Sequence, residues 1–265
     1  MRLAWANDVH LNLADAAAQE AFFEGVTASG ADALLLAGDL AESDSLEAWL
    51  IRIGERARRP VYFVLGNHDY YGDSIAAVRA RVGRLVAGSP WLRWLEAETV
   101  VGLTARTALV GHGGWADARF GDFGGSRVLL TDYFAIAELA GLYPGTRRTR
   151  LEALGDEAAA HLRGALEAAL AQHARVVVLT HVPPFREAAW HEGGLSDPYY
   201  LPHFSCRATG EVLRAAALAR PDRAILVLCG HTHGGGRARI EPNLAVRTGA
   251  AEYGHPALQE VIEVE

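Results

Sequence analysis

The first third of the chain alternates short apolar runs with segments of helical periodicity. The runs Leu3–Ala6, Ala33–Ala37 and Val61–Leu65 contain no charged residue, and apolar positions recur at helical spacing in the segments 14–29 and 45–58 between them. Strands that are apolar at every position are typical of parallel sheets covered on both faces. The order strand, helix, strand, helix, strand therefore predicts an α/β fold.

The rest of the chain adds further strands and one long helical segment. Two strands, Thr99–Leu103 and Thr107–Gly111, are expected to pair through a tight turn, and the Ala- and Leu-rich stretch 146–173 predicts one or two helices. Buried strands are expected again at Arg175–Thr180 and Ala224–Cys229. The tail predicts three short strands in an antiparallel closing sheet, at Arg237–Glu241, Leu244–Arg247 and Leu258–Glu263.

Five of the apolar runs are followed directly by polar residues. These clusters are Asp8-Val9-His10, Gly38-Asp39, Gly66-Asn67-His68-Asp69, Thr180-His181 and Gly230-His231-Thr232-His233. In open α/β sheets the ligand crevice lies outside the carboxyl ends of the strands, where residues distant in sequence converge. Asp-Val-His or Gly-Asp alone is compatible with an ordinary turn, Gly-Asn-His-Asp is moderately specific, and Gly-His-Thr-His is the stronger signal because packing gives little reason for two imidazoles there. Five in one chain, each after a strand, point to a common site.

The side chains of these clusters offer metal-binding oxygen and nitrogen atoms and no sulfur. Such donors suit Mn²⁺, Fe²⁺, Zn²⁺ or Mg²⁺. A catalytic ion takes about three protein ligands, so the set is too large for one ion and fits two. We expect Asp39, a lone carboxylate between two richer clusters, to bridge them in a dinuclear centre of the kind used in phosphoryl displacement. The seven candidate ligands are Asp8, His10, Asp39, Asn67, His181, His231 and His233.

Composition narrows the classes of function. Acidic residues outnumber basic ones 32 to 25, which gives a formal net charge of −7 and disfavours long nucleic acid or an anionic membrane as the partner. All basic residues are Arg, so lysine-based catalysis is excluded. Cys206 and Cys229 are too few for a disulfide framework or a thiolate zinc site. Without a membrane span, a signal-peptide pattern or a linker, we expect residues 1–265 to form a single cytoplasmic domain.

The ordered motifs resemble the calcineurin-like metallophosphoesterase superfamily. The resemblance rests on D-x-H, G-D, G-N-H-D, a later H and G-H-x-H, and it spans Asp8 to His233. It implies a four-layer αββα sandwich, with two mixed sheets flanked by helices and a dinuclear centre at the sheet edge. By motif position, one ion would be held by Asp8, His10, Asp39 and His233, and the other by Asp39, Asn67, His181 and His231.

The resemblance also implies roles for two residues that are not ligands. His68 matches the family's histidine that assists the leaving group, and Asp69 matches the carboxylate that orients it. A hydroxide that bridges two divalent ions is a nucleophile at neutral pH, because the metals lower its pKa, and it would attack phosphorus in line. His68, kept charged by Asp69, would then protonate the departing alkoxide.

The sequence departs from one branch of this superfamily. Protein Ser/Thr phosphatases carry G-D-x-x-D-R-G and G-N-H-E, whereas this chain has Gly38-Asp39-Leu40-Ala41-Glu42-Ser43 and ends its third motif in Asp69. It is more similar to small bacterial phosphodiesterases and unassigned phosphoesterases. We expect a hydrolase of small phosphoesters, with diesters slightly favoured over monoesters and Mn²⁺ or Fe²⁺ favoured over Zn²⁺ or Mg²⁺. A nuclease on DNA or RNA is the runner-up, and a non-catalytic metal-binding scaffold is a further alternative.

Two irregular stretches are expected to shape the substrate pocket. Residues 111–128 are rich in Gly, and residues 182–206 directly follow the candidate ligand His181. Loops of this length inside a compact domain are usually functional. Their aromatic residues would stack on a substrate or simply pack the loops onto the sheet, and an arginine would grip a phosphate oxygen. The candidates are Trp115, Trp190, Tyr199, Tyr200 and Phe204, with Arg119, Arg127 and Arg186.

Overall fold

The computed structural model describes residues 1–265 and contains thirteen strands and seven α-helices. The strands are β1 (Arg2–Ala6), β2 (Ala33–Ala37), β3 (Val61–Val64), β4 (Leu92–Trp94), β5 (Val101–Gly102), β6 (Thr107–Gly111), β7 (Arg175–Leu179), β8 (Trp190–His191), β9 (Gly194–Leu195), β10 (Ala224–Cys229), β11 (Gly236–Glu241), β12 (Leu244–Thr248) and β13 (Glu260–Glu263). The helices are α1 (Ala16–Ala28), α2 (Leu46–Ala57), α3 (Ile75–Ala87), α4 (Asp132–Ala135), α5 (Pro144–Gln172), α6 (Leu201–Phe204) and α7 (Arg207–Ala219). No helix combines the length and the apolar character that a membrane span requires.

The first sheet has the strand order β13-β1-β2-β3-β4. Strands β1 to β4 are parallel, and β13 pairs with β1 in the antiparallel sense. Every residue of β2 is buried, because successive side chains enter different layers. Leu34 and Leu36 pack into the cluster formed with helices α1 to α3, while Leu35 and Ala37 pack between the two sheets. Burial on both faces explains the unbroken apolar run.

The second sheet has the order β11-β12-β10-β7-β6-β5. Its four inner strands are parallel and its two edge strands antiparallel. In β7, Val176 and Val178 pack with α5 and α7, whereas Val177 and Leu179 face the first sheet. The layers are thus helices, sheet, sheet and helices. This architecture confirms the expected four-layer αββα sandwich.

The predicted closing sheet at the C-terminal end is wrong. β11 and β12 do form an antiparallel hairpin, but β12 also runs parallel to β10 inside the second sheet. β13 instead crosses to the first sheet, where Ile262 pairs with Leu3 and packs between the layers. The alternation of short strands and turns specifies hairpins, but it does not specify which sheet edge a later strand joins. The hairpin of β5 and β6 is confirmed, and the segment predicted as one or two helices is the single helix α5.

The carboxyl ends of the inner strands meet at one edge of the sandwich. The Asp8 N–H donates to the carbonyl oxygen of Gly38 at 3.1 Å, and the His10 N–H donates to that of Asp39 at 3.0 Å, which joins the loops after β1 and β2. The His231 N–H donates to the Asp8 carboxylate at 3.0 Å, which joins the loop after β10 to the first sheet. The edge therefore draws on both sheets.

Packing between the sheets is expected to dominate stability. Leu179 is fully buried in the layer between the two sheets. We predict that Leu179→Ala lowers the free energy of unfolding by roughly 2–5 kcal/mol, because it removes buried methyl groups and leaves a cavity. Urea denaturation measures the change. Leu218→Ala is the matched control, since Leu218 is exposed on α7, and equal losses in both variants would contradict this prediction.

Candidate metal centre

The backbone at the sheet edge is strained at the residues that the motifs single out. Eight residues other than Gly have a left-handed backbone, and five of them are candidate ligands. Non-glycine residues in this region are uncommon and cost roughly 1–3 kcal/mol each where they are forced into it. Such strain persists where a site requires a special geometry. The five residues and their φ angles are Asp8 (47°), His10 (36°), Asp39 (52°), His231 (71°) and His233 (57°).

Two glycines let these turns approach one another. A Cβ atom on Gly66 would lie 2.2 Å from Asp39 Oδ1, and one on Gly230 would lie 2.0 Å from Asp8 Oδ2. Real Cβ atoms do not approach an oxygen so closely. The glycines that precede Asn67 and His231 in their motifs therefore leave room for the carboxylates of the neighbouring loops.

Hydrogen bonds fix the tautomers of two candidate ligands. His181 Nδ1 lies 2.9 Å from the carbonyl oxygen of Ala37, and His231 Nε2 lies 3.0 Å from that of His203. A carbonyl oxygen accepts but cannot donate, so both ring nitrogens carry protons. The other nitrogens, His181 Nε2 and His231 Nδ1, therefore present lone pairs. This is the usual way in which a protein orients a metal-ligating imidazole.

The amide of Asn67 is oriented in the same manner. Its Nδ2 donates to Asp132 Oδ1 at 2.8 Å, which turns Oδ1 toward the two imidazoles. Asn67 Oδ1 lies 2.9 Å from both His181 Nε2 and His231 Nδ1, and Asp39 Oδ2 lies 3.5 Å from His181 Nε2. The three acceptor atoms Asn67 Oδ1, His181 Nε2 and His231 Nδ1 thus face each other with no proton among them, an arrangement that is repulsive until a cation lies there. The donors fit a divalent metal ion.

A second group of donors lies on the other side of Asp39. Donor atoms of Asp8, His10 and His233 all lie within 4.8 Å of one another. His233 Nε2 is 3.7 Å from Asp8 Oδ1, and His10 Nε2 is 3.7 Å from Asp39 Oδ2. His10 Nε2 is buried and has no hydrogen-bond partner. A buried imidazole nitrogen without a partner is costly, so this group also fits a metal ion. The structure brings all seven candidate ligands together.

The buried carboxylates of this cluster have no positively charged partner from the protein itself. Removal from water raises the pKa of Asp8 to about 7 and raises that of Asp39 well above its usual range. The same desolvation lowers the pKa of His10 to about 2 and that of His233 to about 4, so the imidazoles stay neutral beside the carboxylates. Divalent cations would supply the missing positive charge, and ligands must be deprotonated to bind them.

The expected contact between Asp69 and the His68 side chain is absent. The Asp69 carboxylate is fully buried and accepts four backbone N–H groups, from Gly66, Asp39, Leu40 and Ala41, at 2.8–3.0 Å. His68 Nδ1 has no hydrogen-bond partner, and burial lowers the pKa of His68 to about 3. Asp69 therefore joins the loops after β2 and β3. Four fixed N–H donors give its carboxylate more hydrogen bonds than one imidazole could. It does not keep His68 charged in this arrangement.

His68 nevertheless lies at the mouth of the centre. Its Nε2 is 3.9 Å from Asp39 Oδ2, and its side chain keeps 18% of its accessible surface. The ring stacks on Tyr71 with a centroid distance of 4.2 Å. Among the residues of the third motif, His68 is thus placed to reach both the centre and a ligand from solvent.

Comparison with known families identifies the family to which this chain belongs. The model of the calcineurin-like phosphoesterase family matches residues 1–235, which is most of the chain. This chain belongs to that family. The resemblance drawn from the motifs is confirmed, and with it the coarse activity of a metal-dependent phosphoric ester hydrolase. A search of curated proteins returned no match.

Solved structures share the fold of this phosphoesterase. The phosphopantetheinyl hydrolase PptH from Mycobacterium tuberculosis is 18% identical with a TM-score of 0.67, and the match covers 95% of this chain and 89% of PptH. A dimetal phosphatase from Danio rerio is 13% identical with a TM-score of 0.60, and the match covers 98% and 91% of the two chains. GAP50, the anchor in the inner membrane complex of Plasmodium, is 15% identical with a TM-score of 0.51, and the match covers 94% and 70%. Identities this low support the fold alone.

The phosphoesterase centre also uses residues that the motifs do not reveal. Asp132 is buried at the start of α4, and its Oδ1 accepts from Asn67 Nδ2 and from the Tyr71 hydroxyl at 2.6 Å. The Tyr253 ring lies 4.7 Å from that of His10 and 4.8 Å from that of His233. Neither residue follows a predicted strand. In the sequence, each is simply a carboxylate or an aromatic residue in a loop. Many loops contain such residues, so this feature does not identify a functional one.

The contact between Asp132 and Asn67 predicts a defect in metal binding. We expect Asp132→Ala to weaken binding of one of two metal equivalents by about 10–100-fold, because the Asn67 amide loses the acceptor that orients it. Isothermal titration with Mn²⁺ measures the two affinities. Asp132→Asn keeps an acceptor oxygen and is expected to retain most of the affinity. Unchanged titration of the Ala variant would refute the role of Asp132.

Proposed function

We propose that this phosphoesterase hydrolyses small phosphodiesters, and phosphomonoesters less well, at a centre of two divalent cations. The observation that carries the proposal is the position of Asp39 between two groups of buried donors. Its Oδ2 lies 3.5 Å from His181 Nε2 of one group and 3.7 Å from His10 Nε2 of the other. Asp39 Oδ1 accepts the His68 N–H at 2.9 Å, whereas Oδ2 has more than one lone pair and can ligate two ions at once.

Each cation would have four protein ligands, and Asp39 would serve both. One set is Asp8, His10, Asp39 and His233, and the other is Asp39, Asn67, His181 and His231. When bound, a pair of divalent cations lowers the pKa of water and balances the charge of phosphate oxygens. We favour Mn²⁺ or Fe²⁺, with Zn²⁺ or Mg²⁺ as alternatives, because the donors are oxygen and imidazole nitrogen without sulfur.

His68 is the residue that we propose to act on the leaving group. Its ring borders the centre and remains partly open to solvent, so an ester oxygen held beside Asp39 lies within its reach. Burial disfavours the charged ring, whereas the negative charge of a bound phosphate favours it. His68 would donate a proton to the departing alkoxide as the ester bond breaks.

The surroundings of the centre support the preference for diesters. Glu42 and Ser43 occupy the place where protein Ser/Thr phosphatases carry an Asp-Arg pair, and the Ser43 hydroxyl donates to the Tyr71 carbonyl at 2.6 Å. Ser43 offers no guanidinium there, and the nearby Arg81, which donates to the Ser43 carbonyl, is paired with Asp73 and Glu47. PptH is named a phosphopantetheinyl hydrolase, so a phosphopantetheinyl ester belongs among the substrates to be tested.

Asp39→Asn tests the shared carboxylate. We predict that the wild type binds two Mn²⁺ per chain and hydrolyses bis(4-nitrophenyl) phosphate, and that the variant loses more than about 100-fold in kcat/KM together with metal content. His231→Ala is expected to behave likewise. Asp44→Asn is the matched control, because Asp44 is an exposed carboxylate in the same loop region.

Three results would overturn this proposal in different ways. Full metal content with no hydrolysis of any ester would indicate a scaffold. Cleavage of long DNA or RNA without cleavage of a dinucleotide would indicate a nuclease. Retention of two ions by Asp39→Asn would show that Asp39 is not a ligand shared by both ions.

His68→Ala tests the proton donor. We expect the variant to keep its metal content and to lose about 10²–10⁴-fold in kcat on alkyl phosphodiesters, whose leaving groups need a proton. The loss on 4-nitrophenyl esters should be much smaller, since nitrophenolate departs without one. Metal analysis and both rates are compared with those of His255→Ala, an exposed histidine near the C-terminal end. Equal slowing of both ester types would count against this role.

A further inference from the structure

Residues 125–130, at and just past the end of the first irregular stretch, line one cavity together with residues of the second stretch. The cavity has a volume of about 790 Å³, within the range of small-molecule sites. One wall comes from residues near the end of the first stretch and the other from the second stretch. The lining residues are Gly125, Arg127, Val128, Leu129, Leu130, Asp197, Tyr199 and Tyr200.

Aromatic contacts connect this cavity to the donors of the centre. The Phe204 ring meets His231 edge-on with a centroid distance of 5.6 Å, and the Tyr200 ring lies 5.3 Å from that of Phe204. The cavity therefore begins two ring contacts from His231. An extended alkyl chain of about eight carbons, with carbon–carbon bonds of ~1.5 Å, spans a comparable distance.

Hydrogen bonds hold the two walls together at the same place. Ser126 Oγ donates to the carbonyl oxygen of Tyr199 at 2.9 Å and lies 3.0 Å from His203 Nε2. The carbonyl oxygen of His203 in turn accepts from His231 Nε2. The cavity wall and one candidate ligand are thus parts of one connected structure.

The lining combines five hydrophobic residues with one cation, Arg127, and one carboxylate, Asp197. Leu129 and Tyr199, which both line the cavity, expose 64% and 50% of their surfaces. Arg127 is exposed, and no carboxylate of the chain forms an ion pair with its guanidinium. The Asp197 carboxylate is engaged instead by the N–H groups of Tyr199 and Tyr200 at 2.7 and 2.9 Å.

We propose that this cavity binds the organic group of the phosphoester, and that this group is an extended apolar chain ending in a carboxylate or phosphate that pairs with Arg127. The apolar part would cover Leu129 and Tyr199, and the terminal anion would meet the unpaired guanidinium. The inference rests on the proposed function, because it concerns the part of a substrate whose phosphate reacts at the centre.

Three esters of 4-nitrophenyl phosphate test this inference, since all release the same nitrophenolate. Their second ester groups are methyl, octyl and 7-carboxyheptyl. We expect kcat/KM of the Mn²⁺-loaded wild type to rise in that order. Arg127→Gln should lower kcat/KM about three- to fivefold for the carboxylated ester alone, the size of an exposed ion pair. The double variant Leu129→Ala/Tyr199→Ala should lower it at least about tenfold for both long esters and leave the methyl ester unchanged.

Arg84→Gln is the matched control, since Arg84 is an exposed arginine in α3 that also lacks an ion pair. Equal rates on the three esters, or equal losses on all three in the cavity variants, would overturn the inference. If the wild type hydrolyses none of them, the proposed function fails, and titration calorimetry with octyl phosphate and 7-carboxyheptyl phosphate then decides the cavity separately. The inference is supported if the wild type binds 7-carboxyheptyl phosphate more tightly than octyl phosphate and Arg127→Gln removes this difference. Equal binding of the two ligands by the wild type refutes it.

Discussion

The centre depends on a set of buried acceptor atoms that face one another without protons. Asn67 Oδ1, His181 Nε2 and His231 Nδ1 lie about 3 Å apart, and each is held in that orientation by a hydrogen bond on its far side. In a metal-free protein such lone pairs repel. The surrounding fold therefore carries an unfavourable electrostatic interaction that metal binding would convert into a favourable one.

The sandwich makes this arrangement possible because its inner strands end at one edge. Left-handed residues such as Asp8 and Asp39 turn the chain sharply after the strands, and Gly66 and Gly230 let the turns approach. The four backbone N–H groups that bind Asp69 join two of these turns. Strain at the edge is offset by the packed layers behind it, which hold the loops too firmly to relax.

Those parts of the fold and site that repeat a simple pattern could be predicted from the sequence. Strands such as β2 are buried on both faces, so they are unbroken apolar runs, and polar residues at their carboxyl ends must share an edge. The partner of β13 could not be predicted, because its short alternating pattern fits either sheet. The roles of Asp132 and Asp69 depend on what three-dimensional packing places opposite them, and no local pattern records that.

The metal centre and the neighbouring cavity have different structural origins. The candidate ligands follow strands of both sheets, so their positions are set by the core and tolerate little change. The cavity is lined by the loops that carry Arg127 and Tyr199, whose side chains are exposed. Loops held by a rigid scaffold can vary without loss of stability. In this chain, separate segments would therefore select the reacting group and the organic part of a substrate.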